Sequence, residues 1–83
     1  QQVVTALQHF DSTLTIPPLL VAMSDSAPKV RGTAARTLGM IGNANRDAAK
    51  RIAGPLRDAI ADRDESVRRD VQWALDGLKR WEP

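Results

Sequence analysis

Cysteine is absent from the 83-residue chain, which excludes a disulfide framework and any thiolate metal site. Tyrosine is absent too, and Phe10, Trp73 and Trp81 are the only aromatics, so few large side chains exist to hold a compact globule. No apolar run approaches the ~20 residues that span a bilayer, and no signal peptide is visible. No membrane partner is therefore expected, and the compartment stays unassigned beyond a cytoplasmic default. His9 is the single histidine and is followed by Phe10, whereas a metal site needs several ligands at suitable spacing. No glycine-rich phosphate loop follows a strand, and no serine stands beside a plausible base. Catalytic residues, metal ligands and cofactors are accordingly expected to be none.

Alanine is abundant instead: twelve residues within a hydrophobic share of 42%. Small side chains suit close helix-on-helix packing better than a sandwich of strands, which draws on β-branched and aromatic residues. At this length the chain makes one domain near the lower limit for a self-sufficient core. The net charge of +2 is unevenly spread: residues 1–25 carry −2, residues 26–54 carry +5, and residues 55–83 carry −1. Nine of the twelve basic residues are arginine, the side chain suited to planar, bidentate contacts.

The chain also repeats itself. Pro18-Leu19, Ala22, Asp25, Val30-Arg31 and Leu38 recur as Pro55-Leu56, Ala59, Asp62, Val67-Arg68 and Leu75, every pair separated by 37 residues. Self-similarity at a fixed period marks a stacked solenoid, in which each unit buries its apolar face against its neighbours.

Helical spacing of apolar residues gives each unit two helices. Val3, Val4, Leu7 and Phe10 read as the tail of a helix from a preceding, mostly missing unit, and the chain as the C-terminal fragment of a longer array. A first helix follows Asp11-Ser12-Thr13 and runs to about Ser24, with Pro17 and Pro18 near its first turn and Ile16, Leu19, Leu20 and Met23 inward. A second runs from Pro28 to about Ile41 with Val30, Ala34, Leu38 and Ile41 on its core face, ending at a left-handed Gly42. The third spans about Arg46 to Ala61 with Ile52, Leu56 and Ile60 inward and a kink expected at Gly54-Pro55. Asp64 caps the fourth, which carries Val67, Val71, Ala74, Leu75 and Leu78. No stretch alternates long enough for a strand.

The segments PPLLVAMSDSAPKVRGTAARTLGMIG and, less completely, GPLRDAIADRDESVRRDVQWALDGLK resemble the HEAT repeat. The short Asp-to-Val-Arg turn is similar to the subtype also found in phycobilisome lyases. The resemblance implies an all-α fold: an α-solenoid of two HEAT-like helical hairpins plus a partial N-terminal helix. Residues 1–10 would be the tail of a preceding repeat, residues 12–43 the first full repeat and residues 45–81 the second. Gly39 and Gly42 become Asp76 and Lys79 in the second copy, as suits a terminal unit. The resemblance further implies that Asp25, Arg31, Asp62 and Arg68 form a structural ladder between stacked turns rather than a catalytic set.

In HEAT arrays the second helix of each unit lines the concave side. Residues opposite its apolar stripe are Lys29, Gly32, Arg36 and Met40 in the first copy, and Ser66, Arg69, Trp73, Gly77 and Arg80 in the second. Lys29, Arg36, Arg69, Trp73 and Arg80 are thus the candidate partner-binding residues, since Trp and Arg are enriched at binding hot spots. Trp73 has a structural alternative: covering the core or stacking on Arg36. The expected function is non-catalytic protein–protein interaction or scaffolding. Two alternatives are nucleic-acid-backbone binding by the basic surface, and an accessory part of a HEAT-like lyase or hydroxylase. The paired His-Glu iron ligands of deoxyhypusine hydroxylase cannot be supplied by this chain. Self-association through the open N-terminal face is a further expectation.

Overall fold

The computed structural model describes residues 12–82, and within them the chain forms four α-helices and a short 3-10 turn, with no strand. Helix α1 is Ser12–Ala22, α2 Pro28–Ala44, α3 Arg46–Ala59 and α4 Glu65–Leu78, followed by the 3-10 turn Lys79–Trp81. The expected N-terminal helix at residues 1–10, and His9 with it, lies outside the described residues.

The helices form two hairpins stacked in two layers: α1 beside α3, and α2 beside α4. The α2–α4 contact is the most extensive, and its closeness follows from small residues. A Cβ on Gly39 would lie 2.6 Å from both Cα and Cβ of Ala74, and one on Gly32 would meet the Asp70 carboxylate. Gly42 does not end α2 in a left-handed turn, because no described residue has positive φ and α2 continues to Ala44. Gly42 is there for space: an added Cβ would collide with Leu78 Cδ2 and come within 2.7 Å of Ile52 Cδ1. One residue, Asn45, then reverses the chain. Its extended backbone closes α2, and its side-chain oxygen accepts the Ala48 N–H at 3.0 Å to open α3.

Two other helix starts are set by their sequence. Pro28 occupies the first position of α2, where its missing N–H has no partner to lose. Asp64 caps α4 by accepting from Ser66 N at 2.9 Å and Val67 N at 3.4 Å. Pro17 and Pro18, by contrast, fall inside α1 rather than at its first turn, and α3 runs through Pro55.

The core is one cluster in which Leu38, Ile52, Leu56, Val67 and Val71 are the largest fully buried side chains, Ala35, Ala48 and Ala74 are as completely buried, and Ile16 nearly so. Leu19, Leu20, Met23, Ile41 and Leu75 pack at its edge. Two expected core residues are exposed. Val67 turns towards α2 and is buried, so its counterpart Val30, one repeat earlier, turns away from α4 and is 40% exposed. Ile60 lies past the last residue of α3, at its C-cap, and is 38% exposed.

Candidate functional site: the α2–α4 surface

Two features of the described residues bear on function: a polar seam at the interhelix turns and an aromatic ridge along α2 and α4.

The seam centres on Arg31, which is 6% exposed and has every nitrogen engaged. Its Nε and Nη2 donate to the two oxygens of Asp62 at 2.8 and 3.0 Å, a planar, bidentate pair between the first hairpin and the second. Its Nη1 donates to the carbonyls of Asp25 and Ser26 at 2.9 and 3.1 Å. Arg68, the counterpart one repeat on, makes the same backbone bond, to the Asp62 carbonyl at 2.6 Å. Arginine therefore ties down its own turn through the backbone six residues earlier, and its carboxylate partner comes from the next turn. The Asp25 carboxylate accepts the Ala27 N–H at 2.8 Å. The four residues thus form one complete rung among the described residues, Arg31 with Asp62.

The Arg31 guanidinium, with help from the Asp64 N–H, holds the Asp62 carboxyl below the ordinary carboxylate range against the opposing effect of burial. The pair correspondingly raises Arg31. Asp64 is lowered chiefly by the Ser66 hydroxyl and then by the helix N–H groups it caps. These carboxylates are all held in the charged, acceptor form. That is the opposite of a general acid, which must keep its proton near neutral pH.

On the ridge, Trp73 is 45% exposed and is not buried among Leu75, Leu78 and α3. The Arg36 guanidinium lies over its ring at 4.4 Å, and the same guanidinium reaches Asp70 at 3.4 Å. The spacing explains both contacts. Arg36 and Trp73 are one repeat apart and so sit side by side on stacked helices, while Asp70 is one turn back along α4. Arg69 pairs with Glu65 within its own helix at 3.0 Å. Arg80 stacks over Trp81 at 4.6 Å and donates to the Asn43 carbonyl at 3.0 Å. Lys29 is exposed and has no ion pair among the described residues.

Of the five candidate residues, the fold joins Arg36 directly to Trp73. Arg69 pairs instead with Glu65, and Arg80 with Asn43 and Trp81, while Lys29 has no ion pair among the described residues. Beside Trp73 lies an open cavity of about 530 Å³ floored by Gly39 and Gly77, with Met40, Asn43 and Asp76 at its edges. Asn43 braces it by donating to the Gly77 carbonyl at 2.8 Å. Asp76, held below the ordinary carboxylate range by the Gln72 amide and Lys79, supplies negative charge. Asp70 and Asp76 were the residues that a search for basic side chains passes over. The signal for Asp70 was its place one turn before Trp73, within reach of the residue one repeat earlier.

Among the described residues no group of three His, Cys, Asp or Glu could hold a metal ion, and no helix is long and apolar enough to cross a membrane.

No curated protein and no solved structure matches the chain. A family model for HEAT repeats matches residues 1–76. With that match, the fixed 37-residue offset and the stacked helical hairpins, the chain belongs to the HEAT repeat family.

Proposed function

We propose that this chain is a non-catalytic interaction module that binds a partner protein across the α2–α4 surface. HEAT repeats generally mediate protein–protein interaction or scaffolding, which supports the general reading. The observation that carries the specific one is the exposure of Trp73 while it is held in place by Arg36 and bordered by Met40, itself 56% exposed. A large aromatic side chain fixed by its neighbours before binding loses little rotamer freedom on contact, and such preorganised Trp and Arg side chains dominate interface energies. The surrounding charges favour a protein over a nucleic acid. Arg36 and Arg69 already face Asp70 and Glu65, so this surface offers phosphates fewer open cations than its arginine count suggests.

Peptides selected on the intact chain from a displayed random library provide the test. Trp73→Ala should weaken them about 30-fold or more, the scale of a ~2 kcal/mol hot spot, and Arg36→Ala should weaken them less. Because the indole is half exposed, Trp73→Ala should leave the melting transition nearly in place. Selected peptides indifferent to both changes would show that recognition lies elsewhere.

A further inference from the structure

The second hairpin carries another surface, lined among the described residues by α3, α4, the 3-10 turn and Glu82 just past it: an open groove of about 490 Å³. Its floor is apolar, built from Ala49, Ala53, Leu75, Leu78 and Trp81. The floor is also fixed, because the Trp81 indole donates to the Gly42 carbonyl at 2.7 Å and its ring lies under Arg80. Along one wall stand Arg46, Lys50 and Arg57, three exposed cations of α3 at helical spacing. None of the three side chains makes an ion pair or hydrogen bond among the described residues. Lys79, also at the edge, is paired with Asp76 at 3.3 Å, and Glu82 is the one carboxylate among the described residues that lines the groove.

We infer that this groove docks an acidic amphipathic helix of a partner protein. Its apolar stripe would lie on Ala53, Leu75 and Trp81, and its carboxylates would meet Arg46, Lys50 and Arg57. Charge complementarity selects this occupant. Three uncompensated cations on one wall above an apolar floor match a helix with an apolar face and negative flanks. The length agrees, since the twelve residues from Arg46 to Arg57 span about 16 Å, three helical turns. A further hairpin stacked as the second stacks on the first fits less well. Gln72 and Lys79 stand where the first hairpin has Ala35 and Gly42, and stacking would bury them. The groove uses none of the ridge residues, so this binding is independent of the α2–α4 surface.

The experiment uses the whole chain and two fluorescent peptides of about four helical turns. One is amphipathic with glutamate flanks, and the other is identical with lysine for every glutamate. The acidic peptide should bind at least about tenfold more tightly than its basic twin and weaken as salt is raised. K50E/R57E should reverse that preference with an unchanged melting transition, since both side chains are exposed. Trp73→Ala should leave it intact, which separates this surface from the ridge. Amide shifts on binding should cluster at Ala53, Leu75 and Trp81. Equal binding of the two peptides, or a preference untouched by charge reversal, would overturn the proposal. So would shifts centred on Met40 and Trp73, or concentration-dependent dimerisation that perturbs the groove, which would make a second copy its occupant.

Discussion

The first hairpin turns towards the second a face whose counterpart on the second hairpin is built differently. At equivalent positions Ile16, Ala35, Leu38 and Gly42 are replaced by Ala53, Gln72, Leu75 and Lys79. The first set is sealed, with Ile16 at 3% exposure and Ala35 and Leu38 at 0%. In the second, Ala53 and Leu75 are half-buried while Gln72 and Lys79 are exposed. One repeat pattern therefore yields an interface on one hairpin and a solvent-facing groove on the other. In a stacked array each unit contacts only its neighbours, so what a residue contributes depends on the next unit as much as on its own.

The sharpest way to break the comparison is to exchange its smallest and largest members. Gly42→Lys places a charged chain where even a Cβ collides with Leu78 and approaches Ile52. It should cost more than about 4 kcal/mol, a large part of a small domain's total stability. Urea titration followed by circular dichroism should show loss of the cooperative transition. Lys79→Gly, at the equivalent exposed position, should cost no more than about 1 kcal/mol. Equal effects would mean that the two faces are not different environments after all.

A second pair tests burial alone. Leu38→Ala should destabilise by about 4 kcal/mol, near the upper range for a sealed leucine, and Leu75→Ala, at the groove, by about 1 kcal/mol. Comparable losses in chemical denaturation would indicate that the groove is covered in solution, for instance by another copy.

The acidic residues of the two turns differ in the same manner. Asp62 receives two bonds from a buried arginine of the other hairpin, whereas Asp25 accepts one N–H of its own turn. Asp62→Ala should cost about 3 kcal/mol, the scale of breaking a buried pair from one side, and Asp25→Ala about 1 kcal/mol or less. Acid should reproduce part of the first effect. The folded-state pKa of Asp62 lies below its ordinary 3.8. Its contribution is therefore fully present above that value and is lost as pH falls through the folded-state value. Stability measured between neutrality and about pH 4 should change little on this account and then drop. Asp62→Asn should make that acid limb shallower, and an unchanged limb would assign it to Asp64 and Asp76, which are also held low.

The 37-residue identity pattern carried the stacking of like units, because identical residues at a constant offset require equivalent positions in successive units; apolar spacing supplied the helix order, and the hairpin architecture came with the resemblance to the HEAT repeat. Local chemistry also sufficed where only local bonds decide. Pro28 begins α2 because it lacks the N–H that a first helical turn leaves unpaired, and Asp64 begins α4 because its carboxylate reaches the N–H groups two and three residues on. Exposure of Trp73 followed from helical periodicity, since it lies opposite Val67 and Val71 on α4.

Tertiary structure decided the rest, wherever a residue's partner lies one repeat away. Gly42 has the composition of a helix stop, yet the approach of Leu78 and Ile52 makes it an interior packing position. Val30 and Val67 are the same residue in the same motif, and only the side on which the neighbouring hairpin stacks separates them. Arg31 is six residues from Asp25 in the chain, but the carboxylate it binds belongs to Asp62, because stacking brings the next turn within bidentate reach. The charge of the ridge is settled likewise: a count of arginines cannot show that Arg36 faces Asp70 until α2 and α4 are laid side by side. Periodicity in a sequence specifies which way each side chain points along its own helix, and only the packed structure specifies what it meets there.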